Sequence, residues 1–441
     1  MALAALGKPV IPTDDFFNFK DGVFEFKSLV PERFCTGIRL PNDYKEYSDL
    51  ASSTQAAFEE GIVLLANHAF QVTRSPYLAY SGGSALNAVA NRRIIIESEF
   101  ERVFVPPCPD DGGVSVGAAL WGASRLSRIL PDRRLTKKSF GKKYGETEID
   151  RASVSMPNII LCSDDNLVDM CVDLIVDGKV LGVFDSGSEL GPRALGHRSI
   201  LCDPRRPDIK DHLNRHIKFR EGFQPFAPVS FRSAFKEWYG PDELSNNCKF
   251  METAVSVVQE NLEKIPGAVH CDGSARLQTI EDIQSDIFGR ILMSFYNRTG
   301  IPVLINTSFN VKGEPIVETP EDALRCMLLS GMDACIIEER IFLPRDIFWD
   351  PLEVSVSLAG DVSLKDATLT FTRITEYGPD VRHFDIKSNR ARAILFVKDR
   401  KGAREYTEFL RSVNPRYQSY GLRHVLALEL RQGWISLDKG C

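Results

Sequence analysis

The densest set of motifs in this chain begins with Gly191-Pro192-Arg193-Ala194-Leu195-Gly196-His197-Arg198-Ser199 and continues with Asp203-Pro204-Arg205-Arg206. A run of charge is usually a solvated face, but these arginines are interleaved with glycine and proline. Several fixed cations on a turning backbone suit a phosphorylated ligand, because the guanidinium fork pairs with two phosphate oxygens at once. The segment therefore predicts a shaped anion-binding site.

Regular secondary structure is predicted on both sides of this segment. The apolar pattern predicts a helix over 166–176 and a strand over 180–184, and a new domain begins at 156–161. A second buried strand at 302–305 runs into Asn306-Thr307-Ser308-Phe309-Asn310, whose hydroxyl and amide groups suit the phosphates or sugar of a nucleotide. Helices that alternate with strands predict a chain of α/β and α+β class.

Further cations lie downstream in Lys218-Phe219-Arg220 and in Asp272-Gly273-Ser274-Ala275-Arg276. On a strand, Lys218 and Arg220 would point to the same side, because side chains alternate across a sheet. Arg276 is predicted to lie on a turn. We expect these cations, together with Arg198, to balance phosphate charge rather than to build the core.

The N-terminal third carries two glycine-containing turns. A helix over 56–71, a short buried strand over 77–80, extended segments over 94–96 and 103–105, and a helix over 114–126 surround them. Gly82 and Gly83 let the backbone approach a ligand closely, although an ordinary strand–turn–helix junction has the same appearance. Asp111, in Asp110-Asp111-Gly112-Gly113, suits a metal, or it caps the helix that follows.

Two histidines, His212 and His216, have the i, i+4 spacing of metal ligands on a helix. No glutamate accompanies them within that spacing, and the neighbouring residues are rich in cations. We therefore interpret them as polar surface residues on a helix that leads to Lys218. Serine-hydrolase elbows and Walker-type phosphate loops do not occur in the sequence.

Composition places the chain among soluble globular proteins. The 441 residues are 43% hydrophobic and 26% charged, which at roughly 150 residues per domain corresponds to about three domains. A net charge of −6 lacks the basic footprint of a nucleic-acid binder. No apolar run is long enough for a membrane span, and the ten cysteines form no CxxC pair. Without a recognisable signal peptide, we expect a reducing, cytoplasmic location.

These motifs together closely resemble the NodU/CmcH family of O-carbamoyltransferases. The resemblance covers roughly residues 1–345 and rests on GGSALN, PPCPDDGG, GPRALGHRSI, Lys218-Phe219-Arg220, DGSARLQ and NTSFNVKGEP in the family's order. It implies part of an actin/sugar-kinase-like ATPase-fold domain over 1–127, a linker over 128–154 and a YrdC-like α/β domain over 155–345. Residues 346–441 form an extension that the resemblance does not reach.

The resemblance also implies a reaction. Carbamoyl phosphate and ATP, with Mg²⁺, would form carbamoyl adenylate, and a hydroxyl of a natural-product or sugar acceptor would then take the carbamoyl group. The implied roles follow the matching positions. Lys218, Arg220 and Arg198 would be catalytic, Arg193, Arg276, Ser308 and Asn310 would bind substrate phosphates, Gly82, Gly83 and Asn87 would bind the adenylate, and Asp111 would be a metal ligand.

One departure from the family qualifies this assignment. The opening Met1-Ala2-Leu3-Ala4-Ala5-Leu6-Gly7-Lys8-Pro9 matches an interior segment of the family, so the HxxxH motif that supplies ligands for Fe²⁺ or a similar ion does not precede it. We therefore expect a partner chain with that motif, weak metal binding by this chain and self-association into a possible homo-oligomer. The alternative is a catalytically incomplete homologue that binds a nucleotide or docks to a partner.

Overall fold

A computed structural model of the protein describes residues 1–27, 44–127, 139–154, 159–162, 166–240, 242–281 and 286–344, together with residues 406, 408 and 409 and six strands between 354 and 439. The chain divides into two compact units. The first comprises Met1–Ala152, Cys162–Cys326 and Met332–Phe342, and the second comprises Ser153–Leu161, Met327–Gly331 and Leu343–Cys441. Every residue predicted to act at the site belongs to the first unit.

The first unit begins with a β-hairpin and a long helix. Strands β1 (Phe17–Lys20) and β2 (Val23–Phe26) pair antiparallel around Asp21 and Gly22. Both turn residues have positive φ, 52° and 81°, as the tight hairpin turn that matches strand twist requires. Helix α1 (Tyr44–Thr73) follows and extends well beyond the predicted 56–71 at its N-terminal end.

The next elements are β3 (Tyr77–Ala79), α2 (Ala88–Glu97), β4 (Arg102–Phe104) and α3 (Val114–Ser127). Strands β3 and β4 pair in parallel, and the predictions of strand 103–105 and helix 114–126 are confirmed. The prediction of an extended segment at 94–96 is wrong, because Asn87 caps a helix there by accepting a hydrogen bond from the Ala90 amide. Strand β3 is also less buried than predicted, with Tyr77 and Ala79 exposed.

The C-terminal half contains both helices and strands, and the mixed α/β class is confirmed. The predicted helix at 166–176 and the strands at 180–184 and 302–305 are present. The elements are α4 (Glu146–Val154), β5 (Ile159–Cys162), α5 (Leu167–Val176), β6 (Leu181–Phe184), β7 (Arg198–Cys202), α6 (Ile209–His212), β8 (Ala227–Phe231), α7 (Phe235–Tyr239), β9 (Ala254–Ser256), β10 (Ser274–Arg276), β11 (Gln278–Ile280), α8 (Ile287–Thr299), β12 (Val303–Ser308), α9 (Pro320–Ser330), β13 (Ala334–Ile337) and β14 (Arg340–Pro344).

A mixed sheet forms the core of this half, with neighbouring strands in the order β11, β8, β12, β7, β6, β13 and β14. The pairs β11–β8 and β6–β13 are parallel, and the other neighbours are antiparallel. Every residue of β6, β7 and β13 is buried, as expected of central strands covered on both faces. Ser199 lies opposite Ser308 across β7 and β12, so the arginine segment and the Ser308 segment meet at one place.

The second unit contains the extension, residues 346–441. Strands β16 (Asp361–Lys365), β17 (Thr368–Thr375) and β18 (Gly378–Asp385) form an antiparallel meander, and β15 (Val354–Leu358) pairs with β19 (Lys401–Gly402) and β20 (Ile435–Lys439). The strands predicted at 353–358 and 367–372 are confirmed. Residues 128–138 of the predicted linker lie outside the described residues, as does most of the helix predicted near 403–412. Among those residues, no helix is long and apolar enough to cross a bilayer.

Gly182 in β6 provides a test of core packing. A Cβ atom placed on it would lie 2.5 Å from Cζ of the buried Phe309 ring, so we expect Gly182→Ala to lower the free energy of unfolding by about 1–3 kcal/mol through overpacking. The matched control is Gly117→Ala in α3, where an added Cβ meets no atom within 4 Å. That variant should be neutral or stabilise the protein by up to about 1 kcal/mol. Urea unfolding measures both, and equal stabilities would contradict the prediction.

Candidate anion-binding site

The loop between β6 and β7 is held in shape by one carboxylate. Oε1 of Glu189 accepts hydrogen bonds from the backbone amides of Leu195, His197 and Arg198, at 2.7, 2.8 and 3.1 Å. Gly191 adopts a φ of 94°, and a Cβ there would lie 2.8 Å from Sγ of Cys108. The arginine segment is therefore a fixed loop, and its close contact with the Pro106–Gly113 turn requires glycine.

Arg198 is inside the core, with none of its surface exposed. Its guanidinium carbon lies 3.4 Å from the centre of the Phe184 ring, and its Nη1 donates to the carbonyl oxygens of His197 and Asp185, at 2.9 and 3.2 Å. Burial lowers its pKa. The expectation that Arg198 takes no part in the core is therefore wrong, because its aromatic contact and hydrogen bonds make it a packing residue. Its Nε and Nη2 atoms are buried without a partner in the described structure.

Lys218 is also buried, with 2% of its surface exposed. Its Nζ donates to the carbonyl oxygen and Oδ1 of Asn310, both at 3.0 Å, and to Oγ of Ser308 at 3.2 Å, and it also contacts the Ser308 carbonyl oxygen. Ser308 in turn donates to Oδ1 of Asn310 at 2.7 Å. Burial, reinforced by the charge of Arg220, lowers the pKa of Lys218 to about 7. Because these four acceptors are neutral, a bound anion would favour the charged form of Lys218.

Lys218 and Arg220 do not share a strand, so that interpretation of their spacing is wrong. Lys218 follows an irregular helical turn, Leu213–Ile217, and Phe219 has a φ of 51°. This left-handed residue turns the chain, so the side chains of Lys218 and Arg220 have different partners. Its Nε donates to Oδ1 of Asn214 at 2.7 Å, and its guanidinium lies over the Phe226 ring at 4.6 Å.

A cavity of about 690 Å³ lies beside this segment. Three of the predicted site arginines contribute to its wall: Arg193, Arg220 and Arg276. Other polar or charged side chains in the wall include Lys210, Asp211, His270, Asp272 and Ser274. The volume is within the usual range for small-molecule sites, about 300–1,000 Å³. The structure thus brings three of the five predicted cations to one cavity, whose wall does not include Lys218 or Arg198.

Arg193 and Arg276 are the least compensated of these cations. Neither guanidinium has a hydrogen bond or an ion pair among the described residues, whereas Asp203 and Asp208 each pair with a neighbouring arginine, Arg205 and Arg206, at 2.6 Å. Burial lowers the pKa of Arg276 to about 9, and the charge of Arg193 adds to the effect. Arg276 ends strand β10, which corrects its prediction on a turn. The charge of Asp110 acts on Arg193, but two neighbouring guanidinium groups without an ion pair among the described residues still favour an anionic ligand.

The predicted adenylate-binding residues are not part of the wall of this cavity. Gly82, at a φ of 108°, donates its amide to the Pro109 carbonyl oxygen at 2.6 Å, so the two N-terminal turns are in contact. A Cβ on Gly82 or Gly83 would meet no atom within 4 Å, which leaves their backbone accessible. Asn87 caps α2 and exchanges hydrogen bonds with Gln55. The cavity wall includes Ala88 and Val89 but none of the three predicted residues.

The described residues do not form a set of metal ligands. Asp111 lies in an exposed turn, and its neighbour Asp110 accepts a hydrogen bond from the Cys108 thiol at 2.9 Å. His212 and His216 lie with ring centres 5.3 Å apart. Within the described part of the chain, no three histidine, cysteine or acidic side chains are grouped closely enough to bind a metal. These donors alone do not fit a resident Fe²⁺ site.

Sequence reasoning missed three residues that shape the site: Glu189, Lys210 and His270. Glu189 organises the arginine loop, as described above. Lys210 donates to the Val269 carbonyl oxygen at 2.9 Å and lines the cavity beside His270. The only available signal was position, because His270 lies two residues before the DGSARLQ motif.

Comparison with known proteins gives two family-model matches. Residues 14–120 match the model for the carbamoyltransferase N-terminus, and residues 172–343 match that for the carbamoyltransferase C-terminus. Nodulation protein NolNO of Sinorhizobium fredii is 32% identical over 319 residues, which are 71% of this chain and 47% of that protein. Nodulation protein NolO of Bradyrhizobium diazoefficiens is 33% identical over 296 residues, 66% of this chain and 54% of that protein.

The chain spans about half the length of these curated relatives. Among solved structures, HypF of T. kodakarensis has 14% sequence identity and a TM-score of 0.27, and the match covers 59% of this chain and 34% of that one. A structural likeness at this level supports no statement about fold or activity. The two family models match successive parts of the chain, and together with the curated relatives they show that the chain belongs to the carbamoyltransferase family.

Proposed function

We propose that this chain binds carbamoyl phosphate and ATP and forms carbamoyl adenylate, as an ATP-dependent O-carbamoyltransferase or its C-terminal subunit. The observation that carries the proposal is the pair Arg193 and Arg276, which line the cavity without hydrogen-bond or ion-pair partners in the described structure. Phosphate groups would supply the missing negative charge. Fixed cations also stabilise the charge that develops as phosphate or pyrophosphate leaves.

The other predicted residues receive distinct roles in this proposal. Arg220 would add a third cation to the cavity, and Lys218 would bind a phosphate oxygen in place of its present contacts with Ser308 and Asn310. Ser308 and Asn310 would then position the nucleotide. Arg198 would support the loop from within the core, and its free N–H groups would stabilise negative charge near the start of β7.

We also propose that the fold assignments implied by the resemblance apply, with a YrdC-like domain over 155–345 and part of an actin-like ATPase domain over 1–127. The YrdC-like domain would make the adenylate. The actin-like ATPase domain would present it to a hydroxyl of a natural-product or sugar acceptor. The seven cysteines that the structure describes as free thiols support a reducing compartment such as the cytoplasm.

Exposed apolar residues support a partner for the N-terminal part. Tyr77 and Phe104 on the β3–β4 pair are 60% and 51% exposed, and Trp121 and Leu126 on α3 are 64% and 90% exposed. Parallel strands normally have both faces covered, and grouped apolar side chains often mark an interface. We propose that an HxxxH-bearing protein segment covers this region and supplies the metal ligands that the described residues lack.

The test is release of pyrophosphate from ATP. We expect release that depends on carbamoyl phosphate and Mg²⁺, and mass spectrometry should detect carbamoyl adenylate. The assay should be run on the chain alone and on the chain with an HxxxH-bearing fragment. Calorimetric binding of ATP without pyrophosphate release in either case would contradict the proposal and favour a nucleotide-binding or docking module instead.

A further inference from the structure

A chain of three hydrogen-bonded side chains lies in the wall of the cavity. Nδ1 of His270 lies 3.1 Å from Oγ of Ser274, and this hydroxyl donates to Oδ1 of Asp272 at 2.7 Å. The Ser274 amide also donates to the same carboxylate oxygen, at 2.9 Å. The backbone fixes the arrangement, because His270 donates its amide to the Ser274 carbonyl oxygen at 2.7 Å and Gly273 turns the chain with a φ of 78°.

This order of hydrogen bonds determines the form of the imidazole. Although burial opposes it, the hydrogen bonds from Ser274 lower the pKa of Asp272, so its carboxylate is ionised and can only accept. The Ser274 hydroxyl must therefore donate a hydrogen bond to Asp272 and accept one from Nδ1 of His270. Nδ1 of the imidazole then carries the proton, and Nε2 is left as an acceptor.

Nε2 of His270 is available to a ligand. His270 lines the cavity together with Arg193 and Arg276, and its second ring nitrogen has no hydrogen-bond partner in the described structure. Every positive charge that binds the anion in the proposed function comes from lysine or arginine. A neutral imidazole in the same wall adds a nitrogen lone pair that can accept a proton from a molecule in the cavity.

The charges around His270 make it sensitive to an anion. Burial lowers its pKa to about 4, the Asp272 carboxylate opposes this effect, and the charges of Arg276 and Lys210 add to it. A phosphate bound between these cations would neutralise part of their field, and its own charge would favour the imidazolium. The pKa of His270 would therefore rise, and the imidazole would become a stronger base, only when the substrate is bound.

The proposed function requires a step that releases phosphate. When pyrophosphate leaves ATP, the group that attacks the α-phosphorus to give carbamoyl adenylate must be an oxygen of carbamate. The phosphoryl group of carbamoyl phosphate has to be removed first, and a phosphoryl group held by Arg276 would lie beside His270.

We propose that His270 is the general base for this step, an inference that rests on the proposed function. Nε2 takes a proton from water as the water oxygen bonds to the phosphorus of carbamoyl phosphate. The bond from phosphorus to the bridging oxygen breaks, and carbamate leaves with its electron pair. The products are phosphate, carbamate and the imidazolium, which returns its proton to solvent.

The test is phosphate release from carbamoyl phosphate by the full chain in ¹⁸O-labelled water. Attack at phosphorus places one label in the phosphate, whereas spontaneous elimination to cyanate leaves the phosphate unlabelled. We expect His270→Asn to lower the labelled release by about 10²–10⁴-fold, the usual contribution of a general base. The asparagine amide can still donate to Ser274, so sulfate binding measured by calorimetry and the melting temperature should stay close to the wild-type values.

A second variant, His270→Ala, separates the chemistry from packing. Imidazole added to the solution should restore labelled release, with a pH dependence that follows the titration of free imidazole. Wild-type rates in His270→Asn, loss of sulfate binding in that variant, or failure of imidazole to restore His270→Ala would each overturn the base assignment while leaving the proposed function intact. Absence of labelled phosphate with the wild-type chain would overturn both.

Discussion

Replacing Lys218 by methionine is expected to lower carbamoyl phosphate-dependent pyrophosphate release by about 10²–10³-fold, the usual cost of removing one preorganised charged donor. The chain should still fold, because methionine matches the length of the lysine side chain and introduces no unpaired charge. Ser308 and Asn310 keep their mutual hydrogen bond. Lys312→Met is the matched control, since Lys312 is exposed and pairs with Glu221 at 2.6 Å, and it should leave the rate unchanged.

The lowered pKa of Lys218 adds a pH signature. Because its pKa is about 7 in the free protein, a bound anion that restores the charged form must draw in a proton above that pH. Calorimetry with sulfate at pH 8, in buffers of different ionisation enthalpy, should show proton uptake in the wild type and much less in Lys218→Met. Affinity should fall as the pH rises above about 7. Identical proton uptake in the two proteins would contradict the assignment.

The same shift has a consequence for stability. Between pH 7 and the ordinary lysine value of 10.5, the unfolded chain holds a proton on Lys218 that the folded chain does not. The free energy of unfolding contributed by this group therefore increases as the pH rises through that window. Below pH 7, Lys218 is protonated in both the folded and the unfolded chain, and the folded chain then bears the full desolvation penalty of the buried charge.

The proximity of Lys218, Ser308 and Asn310 could be predicted from the sequence through the resemblance, and the structure places them in hydrogen-bond contact. The strands and helices of the C-terminal half were predictable for a different reason. Their apolar runs are long, and glycine or aspartate bounds them, as at Asp177-Gly178 after α5. Local pattern and tertiary burial agree there, so periodicity was sufficient.

The errors arose where tertiary contacts decide the conformation. The isoleucines at 94–96 have high strand propensity, yet the Asn87 cap and the burial of Ile94 hold them in a helix. The left-handed Phe219 separates the directions of Lys218 and Arg220, and no pattern in the sequence marks that φ value. Arg198 was expected to face a ligand. It stacks on Phe184 instead, because β6 and β7 pair and bring together two residues that lie on either side of the intervening loop.

Four arginines of this region fall into two groups with opposite effects on the stability of the fold. Arg205 and Arg206 have carboxylate partners two residues away, and they stabilise the fold. Arg193 and Arg276 lack partners within the described structure, so their charges oppose folding and favour an anion. A cation that is costly to the free protein and useful to the complex is the usual mark of a binding site.

Arg276→Met is therefore expected to stabilise the free protein by about 1 kcal/mol while greatly weakening anion binding. The methionine keeps much of the apolar stem and removes a charge whose pKa burial and Arg193 have lowered to about 9. Arg205→Met should do the reverse, because it leaves the buried Asp203 carboxylate without its ion pair. We expect that variant to lose about 1–3 kcal/mol and to bind sulfate as the wild type does. Urea unfolding and calorimetry on the two variants give four measurements, and a destabilised Arg276→Met that still binds sulfate would show that Arg276 serves the fold instead of the ligand.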